Sequence, residues 1–459
     1  MTGMDVLRIL LLAGGAAMAV SCGGEAPPKR EAPARPVAKA AAAAALPAVD
    51  VGAEIAGFYK ERGFKPLWVR RSGLTPAGER LLEMIGRAGE DGLDPSKYGL
   101  PLLRSAAGAV AGGDAATVAK AELLLSRAFA DYVRDLHQPA NEKAVFFVDE
   151  ELAPARPSRR EVLEAAAAAP SLERHVEQAG QMNPLYEALR TALAQYRSSG
   201  GEPAGERLLL ANMERARSIP ANPGRRYVIV DTAGARLWMV EGRKVVDSMK
   251  VIVGKPDMAT PEMAGLIRYA TLNPYWNMPP DLARERAKKV LKRGPGVVAA
   301  ERLQILSDWS DRPRVLNASQ VNWRAVASGA QPLRMRQLPG GDNMMGNVKF
   351  MLPNRLGIYL HDTPNKRNFE LAERRLSSGC VRVEDAQRLS RWLFGGKVVR
   401  PSGPAPEQNV DLPEPVPVYI TYLTAVPKAG GGALFRPDVY RRDARMLAMV
   451  DDRTRQRRA

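Results

Sequence analysis

Apolar residues recur at three- and four-residue spacing through the first half of the chain and at alternate positions through much of the second. Between about Val49 and Ser199 the stretches Ala53–Tyr59, Gly78–Ile85, Val118–Phe129 and Leu185–Leu189 each gather their apolar side chains on one helical face. This half is therefore predicted to be largely helical. Asp91-Gly-Leu-Asp-Pro95 interrupts it as a turn, with Asp94 expected to cap a helix opening at Pro95. From about Arg225 the period falls to two. Tyr227–Asp231, Ala235–Val240 and Val245–Val253 read as strands, and Gly242 marks a hairpin between the last two. Asn347–Leu352 and Leu356–His361 read as further strands and Val416–Thr424 as a closing one, whereas Val383–Phe394 has helical spacing. Between Pro280 and Gln337 charged helical turns such as Leu282–Leu291 replace the strand pattern. The expected fold class is α+β multidomain: a helical domain, then a mainly β domain with an inserted helical subdomain.

Near the N-terminus, Ile9–Val20 is an apolar run after Arg8, short for a membrane span but of the length of a signal-peptide core. Export is the expectation. Ala19-Val-Ser-Cys22-Gly resembles a lipobox, which makes Cys22 the expected lipidation site and a lipid anchor in the outer or inner membrane the expected attachment. Residues 1–22 are then a signal peptide. Residues 23–48, rich in Pro, Ala, Lys and Arg without a periodic apolar face, read as a flexible tether.

At 459 residues the chain exceeds the usual size of one core. Its formal charge of +17 is scattered, with no basic helix interleaved with stacking aromatics, so an anionic polymer or membrane surface is the expected partner and nucleic acid is not.

The chain has three histidines and two cysteines. With Cys22 assigned to the leader, Cys380 is the lone thiol of the folded part, and His361 precedes it across a loop. Such a pair suggests nucleophilic catalysis, although a lone cysteine is often a small packing residue and a strand-end His is often merely hydrogen-bonded. Gly379 permits a sharp turn. Cys380 is expected just before a helix, whose first amides would favour a thiolate and a developing oxyanion, with Arg382 adding positive charge. His137 and His175 lack companion ligands at metal spacing, so no metal site is read and no cofactor is implied.

His361-x-Thr363 followed by Ser377-x-Gly379-Cys380-Val-Arg382 resembles the signature of the L,D-transpeptidases, the YkuD-type catalytic domain. Tyr227-Val-Ile-Val, Val251-Ile-Val-Gly-Lys-Pro…Thr260-Pro, Asn273-Pro-Tyr-Trp-Asn-Met-Pro-Pro and Val348-Lys-Phe-Met-Leu-Pro-Asn are similar, in order, to the large Gram-negative members. Phe64-Lys-Pro-Leu-Trp and Asp91–Tyr98 resemble that subgroup's helical scaffold domain, and Phe435–Asp443 its C-terminal docking sequence. Ser378 stands where many smaller members have His. A peptidoglycan-binding module, common between scaffold and catalytic domain, is not read between Tyr196 and Leu208.

The resemblance implies a scaffold domain over 49–220, a catalytic domain over 221–443 with a mobile capping subdomain over 280–337, and a charged tail over 444–459. It implies Cys380 as nucleophile, His361 as general base and acid, and Gly379 with its neighbours as the oxyanion loop. Tyr359 and Trp276 either line the substrate groove or fill cores. Ser378 borders the groove. Arg382 either orients a substrate carboxylate or holds the loop through backbone carbonyls. The implied partners are peptidoglycan stem peptides in the periplasm, joined by cross-links formed from tetrapeptide stems. Two alternatives stay open: an L,D-carboxypeptidase of the same fold, and a wall-binding lipoprotein without activity.

Overall fold

The computed structural model describes residues 50–140 and 144–455. The expected signal segment, Cys22 and the tether lie outside the described residues. Helices α1 (Ala53–Glu61), α2 (Pro76–Gly86), α3 (Leu100–Gly108), α4 (Ala115–His137), α5 (Arg159–Ala168), α6 (Leu172–Ala179), α7 (Pro184–Ser198) and α8 (Pro203–Ala216) build the first domain. Their starts are written locally: Thr75, Asp114 and Asn183 accept the amides of Gly78, Thr117 and Tyr186, and Ser158 with Glu161 forms a capping box. Asp94 does cap, accepting from Ser96 N at 2.9 Å, but Pro95–Tyr98 makes only a 3₁₀ turn. The hairpin of β1 (Val69–Arg70) and β2 (Gly73–Leu74) is tied to α4 by buried Glu122, which accepts the amides of Leu67, Trp68 and Val69. A buried carboxylate is tolerable here because those donors satisfy it. His137 and His175 are half-buried: His137 Nε2 lies 2.8 Å from the carbonyl of Ala179, the last residue of α6, and His175 packs near the Phe129 ring.

The second domain is a closed sheet. Its strands are β4 (Arg226–Asp231), β5 (Arg236–Glu241), β6 (Lys244–Gly254), β7 (Met263–Leu272), β12 (Val348–Met351), β13 (Leu360–His361), β15 (Val381–Val383) and β16 (Gln408–Thr421). They run in the order β12-β13-β15-β6-β5-β4-β16-β7, and β7 pairs with β12 to close the circuit. Short β14 (Arg375–Ser377) pairs with β6. Closure removes the exposed edges of an open sheet. Val228, Val230, Leu237, Met239, Val251 and Val253 fill the interior with residues from the helix Ala386–Leu393.

The other face of β4 and β5 does not meet water. Tyr227, Ile229, Trp238 and Val240 join one apolar cluster with the scaffold helices. Burial on both faces is why these strands read as nearly continuous apolar runs. The scaffold also lends a strand: β3 (Phe146–Phe147) runs parallel to β7, covering the stretch of its edge at Met263 and Ala264 that β12 leaves open.

The insertion adds a sheet to the helices that its charge pattern predicts. Strands β8 (Trp276–Asn277), β9 (Leu303–Leu306), β10 (Val315–Leu316) and β11 (Arg334–Gln337) form a four-stranded sheet in the order β10-β9-β11-β8. Helices α9 (Pro280–Arg293), α10 (Gly296–Ala300) and α11 (Trp323–Ser328) accompany it. Its own core contains Trp276, Met278, Ala287, Ile305, Val326 and Met335. After the helix at 386–393, here α12, the chain continues through β16, a hairpin of β17 (Ala425–Pro427) and β18 (Ala433–Phe435), and α13 (Asp443–Arg455).

Candidate active site

Two neighbouring parallel strands bring the residues of interest together. Strand β13 pairs with β15 so that Leu360 opposes Val381 and His361 opposes Arg382. One step earlier, Val381 N donates to Tyr359 O at 3.1 Å. Side chains alternate along strands, so Leu360, Val381 and Val383 enter the barrel core while Tyr359, His361, Cys380 and Arg382 share the opposite face. Tyr359 touches both the barrel core and the core of the insertion. The insertion therefore lies against the face that carries the thiol.

His361 is 1% exposed, and its Nδ1 lies 2.5 Å from Asp362 O. A carbonyl only accepts, so Nδ1 carries the proton and Nε2 keeps its lone pair. Burial, and next the positive charge of Arg382, pull the imidazole pKa down to about 3. The ring is neutral at physiological pH.

Cys380 is half-buried, and its Sγ donates to Gly357 O at 3.4 Å. Burial pushes the thiol pKa up, against hydrogen bonds from the Tyr359 backbone and side chain and the charge of Arg382. The resting pair is thus thiol and imidazole, not thiolate and imidazolium. One reason is a correction to the expected local structure. Cys380 is followed by strand β15, and α12 begins only at Ala386, capped by Asp385, which accepts from Arg388 N at 2.9 Å. The helix dipole acts within its first turn and does not reach the sulfur.

The loop that carries Cys380 is held by groups that spacing did not single out. Ser377 Oγ accepts from Gly379 N at 3.1 Å and donates to Cys380 O at 2.6 Å. Thr260 Oγ1 donates to Gly379 O at 2.7 Å and accepts from Gly254 N at 2.9 Å. Behind them, Arg442 donates to Thr260 O at 2.9 Å and Tyr440 OH to Gly254 O at 2.5 Å. Gly379 has φ of 116°, a conformation glycine alone adopts readily. Its N–H is committed to Ser377, whereas the Cys380 amide has no hydrogen-bond partner among the described residues.

The remaining expectations divide. Trp276 is 9% exposed inside the insertion core, so its ring serves packing there. Ser378 is exposed at the loop tip. Leu356–His361 is extended strand only at Leu360–His361, because Gly357 turns the chain with φ of 64°. Among the described residues, Arg382 donates no hydrogen bond to the loop. The carbonyls that it was expected to hold are taken by Ser377 and Thr260 instead. Thr260 was visible in sequence only as part of a Thr-Pro pair, and nothing local marks Arg442 or Tyr440 as its supports.

Residues 53–193 match the family model described as a scaffold domain, and residues 225–401 match the one described as an L,D-transpeptidase catalytic domain. A Haemophilus influenzae protein named "Putative L,D-transpeptidase" is 30% identical over 264 residues, which is 56% of this chain and 52% of that protein. The chain thus spans about half the length of that curated relative. An L,D-transpeptidase from Mycobacterium smegmatis aligns at 12% identity and a TM-score of 0.22 over 44% of this chain and 61% of its own. An Enterococcus faecium L,D-transpeptidase variant aligns at 12% and 0.21 over 47% and 63%.

Proposed function

Because the chain carries an L,D-transpeptidase catalytic domain behind a scaffold domain, we propose that it cross-links peptidoglycan stem peptides through an acyl-enzyme on Cys380. The observation that carries this reading is the sharing of one strand face by a half-buried thiol and a buried imidazole whose Nδ1 is committed to Asp362 O.

The steps follow from that arrangement. Rotation about the Cα–Cβ bond of Cys380 moves the thiol proton from Gly357 O toward His361 Nε2. Burial disfavours a separated ion pair, so proton transfer accompanies attack and does not precede it. Sulfur bonds to the scissile carbonyl carbon of a tetrapeptide stem, and the Cys380 N–H receives the oxyanion. One such donor is typically worth about 3 kcal/mol. The C–N bond then breaks, His361 gives its proton to the departing amine, and a thioester remains. The side-chain amine of a second stem attacks the thioester, loses its proton to His361 and regenerates the thiol.

Export and attachment through lipidated Cys22 belong to the same reading, with residues 23–48 as the tether into the wall. Cys22→Ser is expected to move the protein from the membrane fraction to the soluble periplasm, and unchanged fractionation would contradict the anchor. The reaction is tested by incubating the protein with tetrapeptide wall fragments and weighing the products. Cross-linked dimers absent with Cys380→Ala support transfer. Shortened tripeptide stems alone indicate hydrolysis, and unchanged fragments overturn both.

A further inference from the structure

Arg382 is the one charged side chain on the β13/β15 face that Cys380 and His361 share, and it is half-buried. Its Nε is buried and has no hydrogen-bond partner, and no ion pair to Arg382 occurs among the described residues. The acids whose charge reaches His361 and Tyr359 are committed elsewhere. Asp362 accepts from Lys366 Nζ at 2.7 Å and from Asn347 N at 2.9 Å, while Glu407 accepts from Lys349 and from Tyr275 N. The Cys380 sulfur does not serve as a counter-ion while it rests as a thiol. A guanidinium whose Nε is buried without a partner is costly unless a ligand supplies the charge. Its planar fork fits a carboxylate.

We propose that Arg382 binds the C-terminal carboxylate of the donor stem, the carboxylate of the residue that leaves, and so makes the enzyme select stems with one residue beyond the scissile bond. This rests on the proposed transfer reaction. In the donor only the amide nitrogen and one Cα separate the attacked carbonyl from that carboxylate. In the protein, Cys380 and Arg382 are two positions apart, about 7 Å, a span that the length of an arginine side chain covers. A stem with an additional residue would place a neutral amide at Arg382 and push its own carboxylate past it. Carboxylates on earlier residues of the stem lie on the acyl side of the bond, away from the departing group.

The test compares a tetrapeptide stem with its C-terminal amide, which keeps shape and removes charge. Binding is measured by calorimetry on Cys380→Ala protein, and turnover on the active enzyme. A hydrogen-bonded charge contact predicts roughly 10- to 100-fold tighter binding of the acid than the amide. Arg382→Gln is expected to bring that ratio to about one while leaving amide binding unchanged, and Arg382→Lys to keep part of it. In turnover, kcat/KM should show the same acid preference and the same collapse. Equal affinities of acid and amide for the Cys380→Ala protein overturn the carboxylate site, as does an Arg382→Gln variant that weakens both ligands by one factor. Discrimination in binding without any cross-linking or hydrolysis would instead remove the proposed reaction and leave the carboxylate site standing.

Discussion

Replacing His361 by Gln should flatten the acid limb of the protein's stability curve. The imidazole is 1% exposed, with its pKa held to about 3 by burial and by Arg382. In the unfolded chain it titrates near 6.5. Between those values the unfolded state binds a proton that the folded state refuses. Stability from this group is therefore fully present above about pH 6.5, falls as pH drops, and stops falling below about 3. Integrating the two titrations gives a loss of roughly 2–3 kcal/mol between pH 6 and pH 4, about half of the whole. Gln keeps an amide able to donate to Asp362 O and does not titrate. Urea unfolding of both proteins from pH 7 to pH 4 isolates the term by difference, since the carboxylates, His137 and His175 are common to both. The imidazole signals, only three in the chain, can also be followed by NMR. A constant stability difference between pH 6 and pH 4, or a His361 signal titrating near 6.5, would refute the account of a buried neutral base. Arg382→Gln should raise the His361 pKa, because Arg382 is the second-largest cause of its depression.

Thr260→Val removes the donor to Gly379 O and the acceptor of Gly254 N, leaving two buried backbone groups unpaired at about 1–3 kcal/mol each. It should lower the urea midpoint and slow acylation of Cys380, followed by intact mass; a variant acylated at the native rate would mean that the clamp does not position the loop. Gly379→Ala must hold φ near 116° and bring a methyl to 3.3 Å from Ile358, at a cost of about 1–3 kcal/mol. Acylation is expected to fall more than tenfold with little change in fold by circular dichroism. Trp276→Ala should cost about 3–5 kcal/mol of packing in the insertion, seen as early loss of amide protection over 276–337; unaltered protection there would show that the ring does not anchor that core.

The sequence by itself determined the helical first half, because its caps and apolar spacing are local. It determined the change to strands near Arg225 for the same reason. It also marked His361, Gly379 and Cys380, whose residue types are rare or conformationally special and sit close together in the chain. It did not determine their protonation. Solvent exclusion at His361 arises from the barrel and insertion closing over one strand face, and no neighbour in sequence reports that. The misplaced helix beside Cys380 has a similar cause: Val381 and Val383 pair with β13 and β6 and fill the barrel core, and long-range pairing overrode a helical period that begins in earnest only after Asp385. Thr260, Tyr440 and Arg442 reach the Cys380 loop from separations that only tertiary structure closes. The same is true of Arg382, whose Nε has no partner among the described residues, because an unpaired group can be recognised only when every group packed around it is in place.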